Sequence, residues 1–119
     1  MNSIISLNLQ SRMPIYEQII EQFERYVSLG ILKPNEQISS IRELATHLGI
    51  NPNTIKKAYE ELEARGVIYT ISTKGTFISN NTKEVITRKI EKGIEDVKKI
   101  VSDLEKIGLS KEEIFKRLK

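Results

Sequence analysis

Cysteine and histidine, two of the side chains most used for covalent and acid–base chemistry near neutral pH, are nearly absent from this chain. It has no Cys and one His, His47, which excludes thiolate catalysis, disulfide scaffolds and Cys-based zinc or iron–sulfur sites. His47 has no second ligand type near it in a metal-binding spacing and reads as a solvated helix residue. One imidazole leaves few routes to acid–base catalysis near neutral pH, and no convergent set of titratable groups is visible. The chain therefore reads as a non-enzyme, with no metal and no cofactor. What it does carry is recognition chemistry. The run Asn51-Pro52-Asn53-Thr54-Ile55-Lys56-Lys57 holds amides that can pair bidentately with adenine, a threonine that can meet a thymine methyl, and ammonium groups for guanine or phosphate. Arg42 before it and Lys74-Gly75 after it add two further cations.

Such side chains recognise a surface only when rigid elements aim them. Ser40-Ile41-Arg42-Glu43 is a capping box, in which the Ser hydroxyl and the Glu carboxylate each satisfy a free backbone N–H. It opens a short helix with Ile41, Leu44, Ala45 and Leu48 inward, and Gly49 stops it. Asn51 is a good N-cap and Pro52 suits the first position of the next helix. Ile55, Ala58, Tyr59 and Leu62 form that helix's apolar face, and Gly66 ends it. Two short helices around a turn containing Gly read as helix-turn-helix. With Ile55 and Ala58 inward, Asn53, Thr54, Lys56 and Lys57 project outward from its first two turns, where a recognition helix meets the major groove. The acids Glu60, Glu61 and Glu63 lie in its second half. Arg42 sits at the positive, N–H-rich end of the preceding helix, which favours phosphate.

The remaining elements frame this pair. Ile5, Leu7 and Leu9 alternate with polar residues, which predicts a short strand. Pro14 fits the first position of a helix carrying Ile15, Ile19, Phe23 and Tyr26/Val27 on one stripe, closed by Gly30. A loop, Lys33-Pro34-Asn35-Glu36, follows. Val67, Tyr69 and Ile71, the turn Lys74-Gly75, then Phe77 and Ile78 predict a β-hairpin, the wing of a winged helix, with Lys74 at its tip facing DNA backbone or minor groove. Asn80-Asn81-Thr82 marks a junction. Beyond it Ile90, Ile94, Val97, Val101 and Leu104 step by four and three, a coiled-coil-like seam. Gly108 breaks that helix. Ser110-Lys111-Glu112-Glu113 is a second capping box, with Leu109 placed to staple onto Ile114, and the final helix carries Ile114, Phe115 and Leu118 on one side. Asp96 and Asp103 look like part of a solvated face.

These elements predict a mainly α chain with a small β-hairpin: a winged helix-turn-helix domain over residues 1–79 and a two-helix dimerisation tail over residues 80–119. Ile90, Ile94, Val97, Val101, Leu104, Phe115 and Leu118 are the expected dimer contacts, because so short a chain offers the stripe too little partner surface. Apolar residues with glycine make up about 44% of the chain, close to the globular average, so the chain is not disordered. Residues 1–79 hold 8 basic and 8 acidic residues and residues 80–119 hold 11 and 8, so the whole net charge of +3 sits in the last third. Net charge alone therefore does not argue for nucleic acid. Residues 1–10 show no secretory leader, and no run approaches the roughly 20 apolar residues of a membrane span. A cytoplasmic protein is expected. A winged helix used only for protein contact is the alternative, disfavoured because polar and cationic groups, rather than apolar anchors, surround Asn53.

Residues 10–79 resemble the winged-helix domain of the GntR family of bacterial transcription regulators. The resemblance rests on Pro14-Ile15-Tyr16-Glu17-Gln18-Ile19, on Ile38-Ser39-Ser40-Ile41-Arg42-Glu43-Leu44-Ala45 and on Asn51-Pro52-Asn53-Thr54-Ile55-Lys56-Lys57-Ala58-Tyr59. Leu62-Glu63-Ala64-Arg65-Gly66 and the wing Lys74-Gly75-Thr76-Phe77-Ile78 extend it. Asn-Pro-Asn-Thr and the short helical tail are similar to the YtrA-like branch. The resemblance implies a homodimer that binds a palindromic operator on double-stranded DNA and usually represses, in this branch often genes for ABC transporters or envelope stress responses. It places Arg42, Asn53, Thr54, Lys56 and the wing tip at the family's DNA-contacting positions. Three positions depart from the pattern. Pro52 stands where many members have a base-contacting Arg, Ser39 replaces the usual Pro, which loosens the approach to the helix, and Thr73 stands where a wing Gly is common. About 40 residues after the wing cannot enclose a sizeable ligand pocket. A small-molecule effector could still bind between the tail and the DNA domain or at the dimer interface.

Overall fold

Apolar spacing produces the three helices it predicts: α1 (Ile15–Ser28), then α2 (Ile41–Leu48) and α3 (Pro52–Ala64). The computed structural model describes residues 4–119, so the expected first domain enters the description at Ile4. Pro14 is the N-cap of α1 rather than its first helical residue, and the chain leaves α1 through Gly30 at φ 75°. Ile19, Phe23, Leu44, Ile55, Ala58, Leu62 and Val67 close one core. Each fully buried aliphatic side chain of this kind contributes about 1.5–3 kcal/mol of transfer free energy. Phe23 meets Tyr59 edge-on at 5.7 Å, tying α1 to α3.

The wing is a three-stranded antiparallel sheet, not a lone hairpin. β2 (Ile68–Ile71) and β3 (Gly75–Ile78) form the predicted pair, and β1 (Gln37–Ile38) adds to the free edge of β3, giving the order β1-β3-β2. Gln37 lies opposite Phe77 and Ile38 opposite Thr76. Two residues carry no alternation, so β1 leaves no periodic signal in the sequence. Tyr69 and Phe77, register partners, stack at 5.5 Å on the wing.

The strand predicted around Ile5, Leu7 and Leu9 does not form. The Gln22 side chain accepts from the Ser6 N–H, and the Gln18 side chain accepts from the Asn8 N–H. Gln18 also donates to the carbonyls of Asn8 and Met13. Two glutamines of α1 thus satisfy the backbone that a neighbouring strand would have satisfied. Ile5 enters the core, whereas Leu9 is exposed.

The chain divides into two compact units, and the first runs on to Ile86 instead of closing at residue 79. The reason is local. Thr82 is completely buried, its hydroxyl donating to the Ser79 carbonyl at 2.6 Å and reaching the Val67 carbonyl at 3.2 Å, and Ile86 is buried too. Both residues already belong to α4 (Thr82–Lys106). The second unit, Thr87–Lys119, holds the rest of α4 and α5 (Lys111–Arg117). Gly108 separates the two helices at φ 109°. Ser110 caps α5 by accepting from the Glu113 N–H, but the Glu113 carboxylate turns to Arg117 at 3.0 Å, so only half of the predicted capping box forms.

Within the second unit the predicted seam splits. Val101 and Leu104, the members nearest α5 in sequence, are half-buried, while Ile90, Ile94 and Val97 stand about half exposed. On the last helix Ile114 is buried and Phe115 and Leu118 are exposed. Ile100 and Ile107, absent from the predicted seam, are exposed as well. Ile100 falls three residues after Val97 and widens the stripe along one flank, while Ile107 lies just past the end of α4.

Candidate nucleic-acid interface

Arg42 is aimed by the helix it opens. The Ser40 hydroxyl accepts from the Glu43 N–H, and the Glu43 carboxylate accepts from the Ser40 N–H, both at 3.1 Å. That backbone N–H, seconded by the Ser40 hydroxyl contact, holds the Glu43 carboxyl below its ordinary range. Arg42, two residues into α2, is exposed and forms no ion pair among the described residues. The residue before the cap is fixed from the other helix. The Tyr59 hydroxyl donates to the Ser39 carbonyl at 2.7 Å. Burial, with Glu43 nearby, pushes the pKa of that hydroxyl well above the tyrosine range, so it stays a donor. That bond ties Ser39 to α3.

The turn between α2 and α3 is as short as predicted. Gly49 takes the left-handed conformation at φ 68° and Asn51 caps α3, its side chain accepting from the Asn53 N–H at 2.8 Å. Pro52 occupies the first helical position. Asn51 leaves Thr54 without a capping duty, and the Asn53 and Thr54 side chains form no hydrogen bond among the described residues. Asn53 is exposed and Thr54 half-buried on the first turn of α3.

The two lysines part company one turn later. Lys56 is strongly exposed, with Glu60 3.9 Å away and equally solvated, a pairing too loose and too wet to hold it back. Lys57, one residue on and so about 100° around the helix, places its ammonium 3.8 Å from the centre of the Tyr16 ring on α1. Glu61 of α3 faces elsewhere. Glu61 accepts from Arg65 at 2.9 Å, and Arg65 also reaches Glu24 of α1 at 3.1 Å. The Glu61 hydrogen bond, outweighing partial burial, raises the affinity of Arg65 for its proton.

Lys74 stands at the turn between β2 and β3, exposed and without a side-chain partner among the described residues. Its N–H donates to the Ile71 carbonyl, closing the turn. Thr73 has no positive φ, so the usual wing glycine is not needed there. Gly75 carries the left-handed angle, φ 127°. The sequence reading missed Tyr16 as a companion of Lys57 and Gln37 as a neighbour of the wing tip, since both contacts join residues far apart in the chain.

The structure thus presents Arg42, Asn53, Thr54 and Lys56 on the opening turns of two capped helices joined through a left-handed glycine, with a sheet beside them ending in Lys74. A family model described as bacterial regulatory proteins, gntR family, matches residues 15–78. The HTH-type transcriptional repressor YtrA of Bacillus subtilis is 39% identical, over 98% of this chain and 90% of its own. This chain belongs to the GntR family. Its fold is shared with a transcriptional regulator from Oenococcus oeni, TM-score 0.74 at 38% identity, over 94% of this chain and 93% of the other. The AraR DNA-binding domain in complex with operator ORE1 matches more narrowly, TM-score 0.54 at 29% identity, over 61% of this chain and 89% of that one. A GntR chain with these relatives is a DNA-binding transcription regulator and not an enzyme. Among the described residues no helix is long and apolar enough to cross a membrane.

Proposed function

We propose that this chain is a cytoplasmic homodimeric repressor that binds a palindromic operator on double-stranded DNA. The observation that carries the reading is the joint placement of exposed Arg42, Asn53 and Lys56 and half-buried Thr54 at the N-terminal ends of α2 and α3, free of strong internal partners. Arg42 holds a phosphate; Asn53 and Thr54 meet base edges; Lys56 serves guanine or phosphate. Lys57, Lys74 and Gly75 flank the duplex, Lys74 from the wing. The winged-helix unit does the reading and residues 80–119 make the dimer through Ile90, Ile94, Val97, Val101, Leu104, Phe115 and Leu118. Two-fold symmetry then sets two recognition helices about 34–36 Å apart, or a multiple of that, on successive major grooves. The AraR domain seated on its operator and the repressor named YtrA support this reading by likeness. An operon for an ABC transporter or an envelope stress response is the target the family branch suggests.

Selection of bound fragments from a random duplex pool tests the activity and reads the site together. The expected result is one enriched inverted repeat. Enrichment of nothing, or of sequences without two-fold symmetry, overturns the dimeric-reader proposal.

A further inference from the structure

Gln37 lies outside the residues assigned to DNA, yet it reaches the wing tip by two separate routes. Its side-chain amide donates to the Lys74 carbonyl at 3.1 Å, across 37 positions of sequence. The same amide fills the space beside Gly75, where a Cβ would come within 2.6 Å of the Gln37 Nε2. Gly75 also sits at φ 127°, a conformation that side chains other than hydrogen rarely adopt. Pairing of Gln37 with Phe77 in the β1–β3 register fixes where that amide starts from. The β2–β3 ladder ends at Ile71 opposite Gly75, and the turn lies beyond it. Lys74 N–H to Ile71 carbonyl is the backbone bond that closes it, and Ser72, Thr73 and Lys74 are all exposed.

We infer that Gln37 is the positioning residue of the wing: its amide, packed into the gap at Gly75 and bonded to the Lys74 carbonyl, holds the Lys74 ammonium where it meets DNA phosphate. An exposed turn beyond the last rung of the ladder samples several orientations, and ordering it on binding costs affinity. The Gln37 bond orders the tip beforehand. The inference rests on the proposed DNA-binding role of the wing.

The test uses full-length protein carrying Gln37→Met, which keeps side-chain length and charge but removes the donor, with Lys74→Ala, the double variant, and Asn53→Ala. In the free protein, backbone order parameters at residues 72–75 are expected to fall in Gln37→Met while those of α3 stay unchanged. On operator DNA, Gln37→Met is expected to weaken binding roughly three- to tenfold, the equilibrium factor of one neutral hydrogen bond. The double variant is expected to bind no worse than Lys74→Ala alone, because positioning a side chain that is gone has no value. Additive losses, or an unchanged tip, overturn the inference. If Asn53→Ala weakens binding but neither wing variant does, the inference fails while the DNA-reading proposal stands. If no variant changes affinity, both fail.

Discussion

Isoleucine has opposite fates in the two units of this chain. Ile19, Ile55 and Ile78 of the winged-helix unit are completely buried, whereas Ile90, Ile94 and Ile100 of the tail are each more than half exposed. The amino acid is the same, and both sets lie on regular secondary structure. What differs is the number of elements available to close on them. In the first unit α1, α2, α3 and the sheet turn their apolar faces to a common centre. In the second, α4 is 25 residues long and α5 only seven. A periodic apolar stripe therefore marks a face that will be buried, without saying whether by the same chain or by another. The winged helix answers the question internally; the tail leaves it open, and the proposed dimer is the answer to be tested.

Ending the chain after Ile86 breaks the comparison most severely. The fragment is expected to keep its helices by circular dichroism and to sediment as a monomer. Its affinity for a full palindrome should fall about 10²–10⁴-fold toward that for a half-site, since the second contact is no longer tethered. A dimeric fragment would place the interface in the winged helix instead. A cut at Asn80 is a poorer experiment, because it removes Thr82 and its two buried hydrogen bonds.

Single side chains sharpen the contrast. Ile55→Ala is expected to cost about 2–5 kcal/mol of stability in a urea titration, because it opens a cavity in a closed core. Ile94→Ala should leave that unfolding midpoint of the winged-helix unit in place and instead raise the dimer dissociation constant by sedimentation. Equal losses of stability at the two positions would erase the distinction between the units.

Smaller effects distinguish the two helices of the interface. Asn53→Ala is expected to relax preference at one base position, at about 1–3 kcal/mol on the cognate site. Arg42→Ala should weaken binding to all sequences alike and reduce the salt slope by about one. Binding titrations on matched and mismatched sites, at several salt concentrations, separate the two outcomes. The slightest change concerns Glu43, whose carboxyl titrates lower in the folded chain than its ordinary 4.5. A depressed folded value stabilises the fold above the unfolded value, and that contribution is lost as pH falls through the folded one. The stability gap between parent and Glu43→Ala, followed by urea midpoints across pH, should therefore narrow as pH drops below 4.5.

The helices and their caps were legible because each is announced locally. Ser40 with Glu43, Gly49, and Asn51 with Pro52 state where α2 and α3 begin or end within a few residues, and the structure places those boundaries accordingly. Long-range substitutions of one partner for another left no such mark. Ile5, Leu7 and Leu9 alternate like a strand, yet Gln18 and Gln22 take the place of a strand neighbour. β1 exists only because β3 offers it an edge. The same holds for the site. The outward set on α3 follows from helical periodicity, whereas the turning of Lys57 onto Tyr16 and the reach of Gln37 to Lys74 depend on how distant elements meet.

Capping and proposed reading fall to different residues in this molecule, and that division bears on descent. Ser40 and Asn51 secure the helix ends, while Asn53 and Thr54 spend no side-chain hydrogen bond on the fold. Exchanges at positions 53 and 54 are then close to neutral for stability, as surface changes away from caps and cores generally are. A duplicated gene could wander through operator sequences by single steps, each intermediate still folded. Regulators of this build would diverge in what they bind faster than in how they stand.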